Sequence, residues 1–195
     1  MQKKATYQLY NLKKEGVYSR IFNILTDSKE SGILSRDQYE EMAMSLIQRY
    51  SWIPPTEEIL QLIVETSQPL IEMGAGRGYW AHLISKRAKI VCYDKYRQHD
   101  TFYPVAKGGP ECLADLPESS SLLICCPQYR SDMLLESLQY FGGNTFHYVG
   151  EIDFKLNFPE TLEKEITDNW ELVLQRHVPG WPNTYNVYLK YVRKT

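Results

Sequence analysis

Apolar and polar positions follow two different rhythms along this chain, and the change falls near residue 69. Before it, Tyr39, Met42, Ala43, Leu46 and Ile47 recur at three-four spacing, and Tyr18, Ile21, Phe22, Ile24 and Leu25 have mixed helical spacing. Residues 1 to about 50 therefore read as polar helix with a loop at Ser28-Lys29-Glu30-Ser31-Gly32. Trp52-Ile53-Pro54-Pro55-Thr56 breaks the pattern. Thr56 can cap the next helix, and Glu57 and Glu58 fall in its first turn, where negative charge is favoured. Ile59, Leu60, Leu62, Ile63 and Val64 are its apolar positions.

After residue 69 short apolar runs alternate with helical patterns. Strands are predicted at about 69–73, at 89–93 ending on Asp94, at 121–126, and at 144–149 with Gly150-Glu151 at the end. Helices are predicted from about Gly78 to Lys86-Arg87, from about 131 to 140, and over about 160–169. Residues 95–111 are irregular, with Pro104, Gly108, Gly109 and Pro110, and a short third strand is expected near 112–114. A loop that long in a compact domain is usually functional. Strands at 171–178 and 185–192 flank Pro179-Gly180-Trp181-Pro182-Asn183, a connection short enough for an antiparallel pair. This order predicts an α/β fold: a mostly parallel central sheet covered on both faces, with an antiparallel C-terminal strand pair.

The richest chemistry lies in Leu70-Ile71-Glu72-Met73-Gly74-Ala75-Gly76-Arg77-Gly78-Tyr79-Trp80. The apolar run makes a buried strand. The glycines let the chain turn sharply and let a ligand approach the main chain. An acidic residue ending the second strand, Asp94, can accept two hydrogen bonds from a ribose diol. A dinucleotide fingerprint needs its third glycine at position six, where this chain has Tyr79. A pyrophosphate also disfavours a carboxylate beside the turn, yet Glu72 stands there. A cofactor carrying a cationic group suits it better.

The pattern resembles the first motif of class I S-adenosylmethionine-dependent methyltransferases. The antiparallel tail is a second point of resemblance, and together they cover about residues 56–195. The resemblance implies a Rossmann-like fold and S-adenosyl-L-methionine as cofactor. It implies that Gly74, Gly76 and Gly78 cradle the methionine part, that Glu72 meets the amino group directly or through water, and that Asp94 holds the ribose hydroxyls. Asp115, in Leu113-Ala114-Asp115-Leu116-Pro117-Glu118, looks like the acid that these enzymes place near the adenine amino group. Cys126-Pro127-Gln128-Tyr129 stands where methyltransferases of amino groups carry Asp/Asn/Ser-Pro-Pro-aromatic. Cys126 is a poor acceptor in place of the polar residue, which weakens the case for base amino groups as substrate. Cys126 joins the cofactor-side rim, and Tyr129 and Glu151 are the rim candidates for catalysis. Trp52-Ile53-Pro54-Pro55-Thr56, Gly78-Tyr79-Trp80-Ala81, Gly108-Gly109-Pro110-Glu111, Tyr148-Val149-Gly150-Glu151 and Pro179-Gly180-Trp181-Pro182 further resemble an uncharacterised group of methyltransferase-like proteins.

Composition narrows the classes. A chain of 195 residues suits one domain with an added segment, here an N-terminal helical extension, 1–55, before a cofactor domain, 56–195. Hydrophobic content of 43% with 24% charge is that of an ordinary globular protein. No run of eighteen apolar residues and no apolar stretch behind Lys3-Lys4 predict neither a membrane span nor a secretory signal. Cys92, Cys112, Cys125 and Cys126 lack zinc-site spacing and suit a reducing cytoplasm, and the four histidines form no metal run.

A net charge of −2 gives no whole-chain nucleic-acid signal. Both ends are basic, however: Lys3, Lys4, Lys13, Lys14 and Arg20 at one, Arg176, Lys190, Arg193 and Lys194 at the other. Solvated ends are the commoner meaning of such residues, so nucleic acid is only weakly supported as a partner. The sequence therefore points to a methyltransferase of unassigned acceptor, a small molecule or protein side chain. A catalytically inactive cofactor-binding protein and a methyltransferase of nucleic acids are the alternatives. A nicotinamide-dependent oxidoreductase is opposed by Tyr79 and by the antiparallel tail.

Overall fold

The computed structural model describes residues 17–66, 69–96, 99–128, 131–151, 160–181 and 184–195. The polar first segment forms α1 (Val17–Glu30) and α2 (Arg36–Arg49), and α3 (Glu57–Val64) follows. Thr56 caps α3 as its position predicts, its hydroxyl accepting from the Ile59 N–H. The expected loop at Ser28 starts later. Ser28, Lys29 and Glu30 continue α1, and Gly32, at φ +74°, ends it while the Ile33 N–H returns to the Ser28 carbonyl.

The sheet strands are β1 (Leu70–Met73), β2 (Ile90–Asp94), β3 (Ala106–Lys107), β4 (Ser121–Cys125), β5 (Thr145–Glu151), β6 (Trp170–Val178) and β7 (Asn186–Arg193). Their order is β3-β2-β1-β4-β5-β7-β6. The first five pair parallel, and β7 pairs antiparallel with both β5 and β6. The order reverses between β1 and β4, so a crevice opens above their carboxyl ends. Helices α4 (Tyr79–Ile84), α5 (Met133–Tyr140) and α6 (Glu160–Asn169) connect the strands.

One expected strand is absent. Residues 112–114 belong to a 3₁₀ turn, Pro110–Leu113, and its C-cap. Pro110 sits in its first turn, and the Glu111 carboxylate accepts the Gly109 N–H at 2.9 Å, so side chain and ring both favour a turn. The third strand comes earlier as β3, two exposed residues beside Tyr93 and Asp94.

Successive residues of a strand face opposite sides, and the sheet separates two apolar clusters. Leu70, Cys92, Leu123 and Val149 pack with α1 to α4, whereas Ile71, Met73, Leu122 and Ile124 pack with α5. Glu72 is the β1 residue that breaks this apolar pattern, and it is buried.

The N-terminal helices share the first cluster. The Tyr18 N–H donates to the Tyr79 hydroxyl, the Tyr18 hydroxyl donates to the Ser51 carbonyl, and the Ser19 hydroxyl donates to the Pro55 carbonyl. From the other end of the chain, Trp181 packs edge-on to Phe22 at 4.8 Å and donates its indole N–H to the Trp52 carbonyl at 2.9 Å. Trp181→Phe keeps the ring packing and loses that bond, so unfolding free energy should fall by about 1–2 kcal/mol. Urea denaturation reads this; an unchanged midpoint would show that the indole bond is not a clasp.

Basic residues of the tail are engaged within the fold. Arg193 donates to the Phe141 and Gly143 carbonyls and lies 4.2 Å over the Trp170 ring, and Lys194 donates to the Thr167 carbonyl. The lysines at 3, 4, 13 and 14 lie outside the described residues.

Candidate functional site

Above the carboxyl ends of β1, β2 and β4 lies a cavity of about 920 Å³. Met73 and Gly74, where β1 enters the glycine turn, line it; Gly76 and Gly78 do not. Gly74, Gly76 and Gly78 all have positive φ, at +74°, +53° and +72°. Gly74 lines the cavity, and a Cβ there would stand 2.8 Å from the Met133 sulfur. At Gly78, which begins α4, a Cβ would meet Val105 at 3.0 Å and the Tyr103 carbonyl at 3.2 Å. Both positions hold left-handed backbone that favours glycine, and at Gly78 the near atoms include the Tyr103 main chain.

Asp94 ends β2 and lines the cavity. One carboxylate oxygen accepts the Gly76 N–H at 2.8 Å and the other accepts the Tyr96 N–H at 2.9 Å. The acid is therefore tied to the glycine turn at the cavity wall.

Glu72 lies beneath the turn, 2% exposed, off the cavity wall. The Ala81 N–H in α4 donates to its carboxyl group, and Oε2 has no partner among the described residues. Burial pushes its pKa up to about 8, and the nearby Asp94 charge adds to the rise. Glu72 is thus a protonated acid at neutral pH, held where the first turn of α4 would otherwise offer an amide to an anion.

The far walls were not singled out by sequence reasoning. Glu111, Tyr96 and Met133 line the cavity. Its own amide and that of Gly109 hold the Glu111 carboxyl below its usual range, helped by Lys95. The Gly108-Gly109-Pro110-Glu111 string carried this signal: an acid two residues after a glycine can fold back on the glycine amide. Asp115, the expected acid of this region, sits in an exposed turn and is not on the wall. With the third strand displaced to β3, the acid that reaches the cavity is Glu111.

Just past the end of β4, Cys126 lines the cavity with φ +49°, a conformation rare for a residue with a side chain. Its N–H donates to the Val149 carbonyl at 2.7 Å, which locks the end of β4 to β5. Burial pushes its thiol pKa well up, and the Glu151 charge adds to this. Glu151 itself is exposed at the end of β5 and off the cavity wall. Tyr129 lies outside the described residues, and Gln128 and Ser131 on either side of that gap line the cavity. The structure thus brings Gly74, Asp94 and Cys126 to one cavity, with Gly76 bonded to Asp94 and Glu72 beneath. It leaves Asp115 and Glu151 outside.

Among the described residues no group of three or more His, Cys, Asp or Glu side chains could hold a metal ion, and the four cysteines are free thiols. No helix of the described residues is long and apolar enough to cross a membrane.

No family model and no curated protein sequence matches this chain. Solved structures do. The PH0226 protein from Pyrococcus horikoshii OT3 aligns over 71% of this chain and 87% of its own, with 11% identity and a TM-score of 0.52. The methyltransferase domain of bacterial CtHen1-C aligns over 70% and 97%, with 9% identity and a TM-score of 0.51. Magnesium protoporphyrin IX methyltransferase from Synechocystis PCC 6803, solved with bound S-adenosylmethionine, aligns over 70% and 79%, with 9% identity and a TM-score of 0.50. With its strand order, its antiparallel end and these neighbours, the chain has the fold of the class I S-adenosylmethionine-dependent methyltransferases.

Proposed function

We propose that this protein is an S-adenosylmethionine-dependent methyltransferase, with residues 56–195 as the cofactor domain and residues 1–55 as an extension that helps select the acceptor. The observation that carries the reading is Glu72 beneath the glycine turn, taking the Ala81 amide and keeping one oxygen unpartnered. A dinucleotide places its pyrophosphate at that helix end. Glu72 takes up an amide that such a phosphate would use, and as it ionises near pH 8 it suits the ammonium group of S-adenosylmethionine. The rest of the cavity fits the same cofactor. Gly74 brings bare main chain to the wall, Asp94 is the wall acid proposed to meet a ribose diol, and Tyr96 and Met133 supply walls for a flat ring.

When bound, this cofactor supplies an electrophilic methyl group on a sulfonium. The protein's part is to align the acceptor atom with it and to exclude water. Cys126 shapes the acceptor end. Burial raises its thiol pKa, which favours the protonated form. Tyr129, which follows Gln128 in the chain, is the residue proposed to act on the acceptor; Glu151 stands off the cavity wall and is not proposed as its base. A small molecule or a protein side chain is the favoured acceptor. Nucleic acid is less favoured because Arg193 and Lys194 of the basic tail are engaged with the protein's own carbonyls.

Calorimetry with S-adenosylmethionine, S-adenosylhomocysteine and NAD tests the reading. Binding of the first two in preference to NAD is expected. A preference for NAD would overturn it.

A further inference from the structure

The side chain between the last two glycines of the turn has no part in the reading above. Arg77 is not on the cavity wall. Its Nε and Nη2 both donate to the carbonyl of Asp100, the first at 3.1 Å, and its guanidinium lies 5.5 Å over the Phe102 ring. The main chain repeats the contact, since the Phe102 N–H donates to the Arg77 carbonyl at 2.8 Å. Tyr103 and Val105 press on the bare Cα of Gly78. Residues 100–105 therefore lie directly on the back of the glycine turn.

This segment is anchored on its other sides too. The Tyr103 hydroxyl donates to the Ile90 carbonyl and the Cys92 thiol to the Pro104 carbonyl, each at 3.1 Å. The Phe102 ring stacks on Tyr50 at 5.4 Å and meets Tyr79 edge-on at 5.0 Å. Asp100 holds φ +50°, an unfavourable conformation that persists only where its surroundings dictate it. The forked bond from Arg77 to the Asp100 carbonyl is one such restraint. On either side of the segment stand two cavity walls, Tyr96 before it and Lys107 to Glu111 after it.

We propose that Arg77 is a positioning residue of the cofactor site: it ties residues 100–105 to the back of the glycine turn and so holds the Gly76 bond to Asp94 and the two flanking walls in their binding geometry. The proposal rests on the function proposed above. Three glycines within five residues give the turn little restraint of its own. Freedom lost on binding lowers affinity, and an anchor made beforehand removes that loss. Arginine suits the task because one planar group both forks onto a carbonyl and stacks on a ring.

Arg77→Ala and Arg77→Lys, made in the full chain, test this. Calorimetry measures S-adenosylhomocysteine binding, and amide hydrogen exchange is followed on the ligand-free proteins. Arg77→Ala should bind at least about tenfold more weakly. Its Gly76 and Gly78 amides, bonded to Asp94 and to the Ala75 carbonyl in the native turn, should exchange faster while those of β4 and β5 do not change. Arg77→Lys keeps a donor for the Asp100 carbonyl but loses the fork and the stacking, so it should recover part of the affinity and remain about threefold weaker than wild type. If Arg77→Ala does not fold, the lysine variant decides alone. Wild-type affinity in whichever variant decides, or unchanged exchange at both glycines, overturns the proposal. A wild-type protein that fails to bind S-adenosylhomocysteine overturns the proposed function as well.

Discussion

Asp94→Ala should weaken S-adenosylmethionine binding by about a hundredfold, near the upper end of what one hydrogen bond to a charged group supplies. The carboxylate accepts from Gly76 on one oxygen and from Tyr96 on the other, so it shapes the cavity before any ligand arrives. Its removal costs the ribose its acceptor and frees the middle of the glycine turn. A hydrogen bond to a charged group contributes about 1.5–3 kcal/mol, and a hundredfold change corresponds to about 2.7 kcal/mol. Asp94→Asn separates the two roles. An amide side chain has one oxygen, so it can accept from only one of the two N–H groups and turns its own N–H₂ toward the other. The asparagine variant should therefore fall between wild type and alanine. Calorimetry with S-adenosylhomocysteine, with circular dichroism as the control for folding, reads both. Wild-type affinity in a folded Asp94→Ala protein would place the ribose elsewhere.

Much of the sheet was legible in the sequence because parallel strands buried on both faces read as continuous apolar runs. β4 is such a run, β1 departs from it only at Glu72, and β2, half-exposed at Val91, and β5, with Thr145 and His147, are mainly apolar; all four have boundaries within a residue or two of those predicted. β3 was not legible. It is two exposed residues whose strand character comes only from pairing with Tyr93 and Asp94. That one omission moved the acid of the region to Asp115, whereas the chain folds Glu111 onto the cavity wall. The glycine turn and Asp94 could be placed because strand, turn and strand-end acid are local features. Tyr96 and Met133 could not, since they meet across the cavity only once the end of β2 and the start of α5 are packed together. Glu72 was recognised as an acid near the turn. That its carboxyl group is buried and takes the Ala81 amide follows from the packing of α4 on β1, which no local pattern encodes.

Glu72 and His147 together should give this protein an unusual stability profile with pH. His147 lies fully buried in β5, between Thr66 and Tyr188. The Thr66 hydroxyl donates to the Ile63 carbonyl, so it must accept from the His147 Nε2–H, and Nδ1 then accepts from the Tyr188 hydroxyl. The ring is neutral, and burial with help from Lys190 pushes its pKa down to about 3. Below its unfolded value of about 6.5, the unfolded chain binds a proton that the native ring refuses, so stability is lost as pH falls toward 3. Glu72 acts in the opposite sense. Its native pKa of about 8 exceeds the unfolded value, so the native state holds the extra proton, and stability falls as pH rises from about 4.5 to 8.

Each group contributes a slope of about 1.4 kcal/mol per pH unit within its window. The two slopes cancel between about pH 4.5 and 6.5, leaving a plateau with losses on both sides; Glu111 and His82 shift in the direction that deepens the acid loss. Glu72→Gln keeps an oxygen for the Ala81 amide and has no proton to lose. Its stability should keep rising to about pH 6.5 and then level, so at pH 8 the variant should exceed wild type by a few kcal/mol. The same change removes the carboxyl group proposed to meet the cofactor's ammonium, so affinity should fall as stability rises. Urea denaturation from pH 4 to 8, with calorimetry at pH 8, tests both halves. A variant that loses stability at pH 8, or that binds S-adenosylhomocysteine as wild type does, would show that Glu72 is an ordinary structural acid.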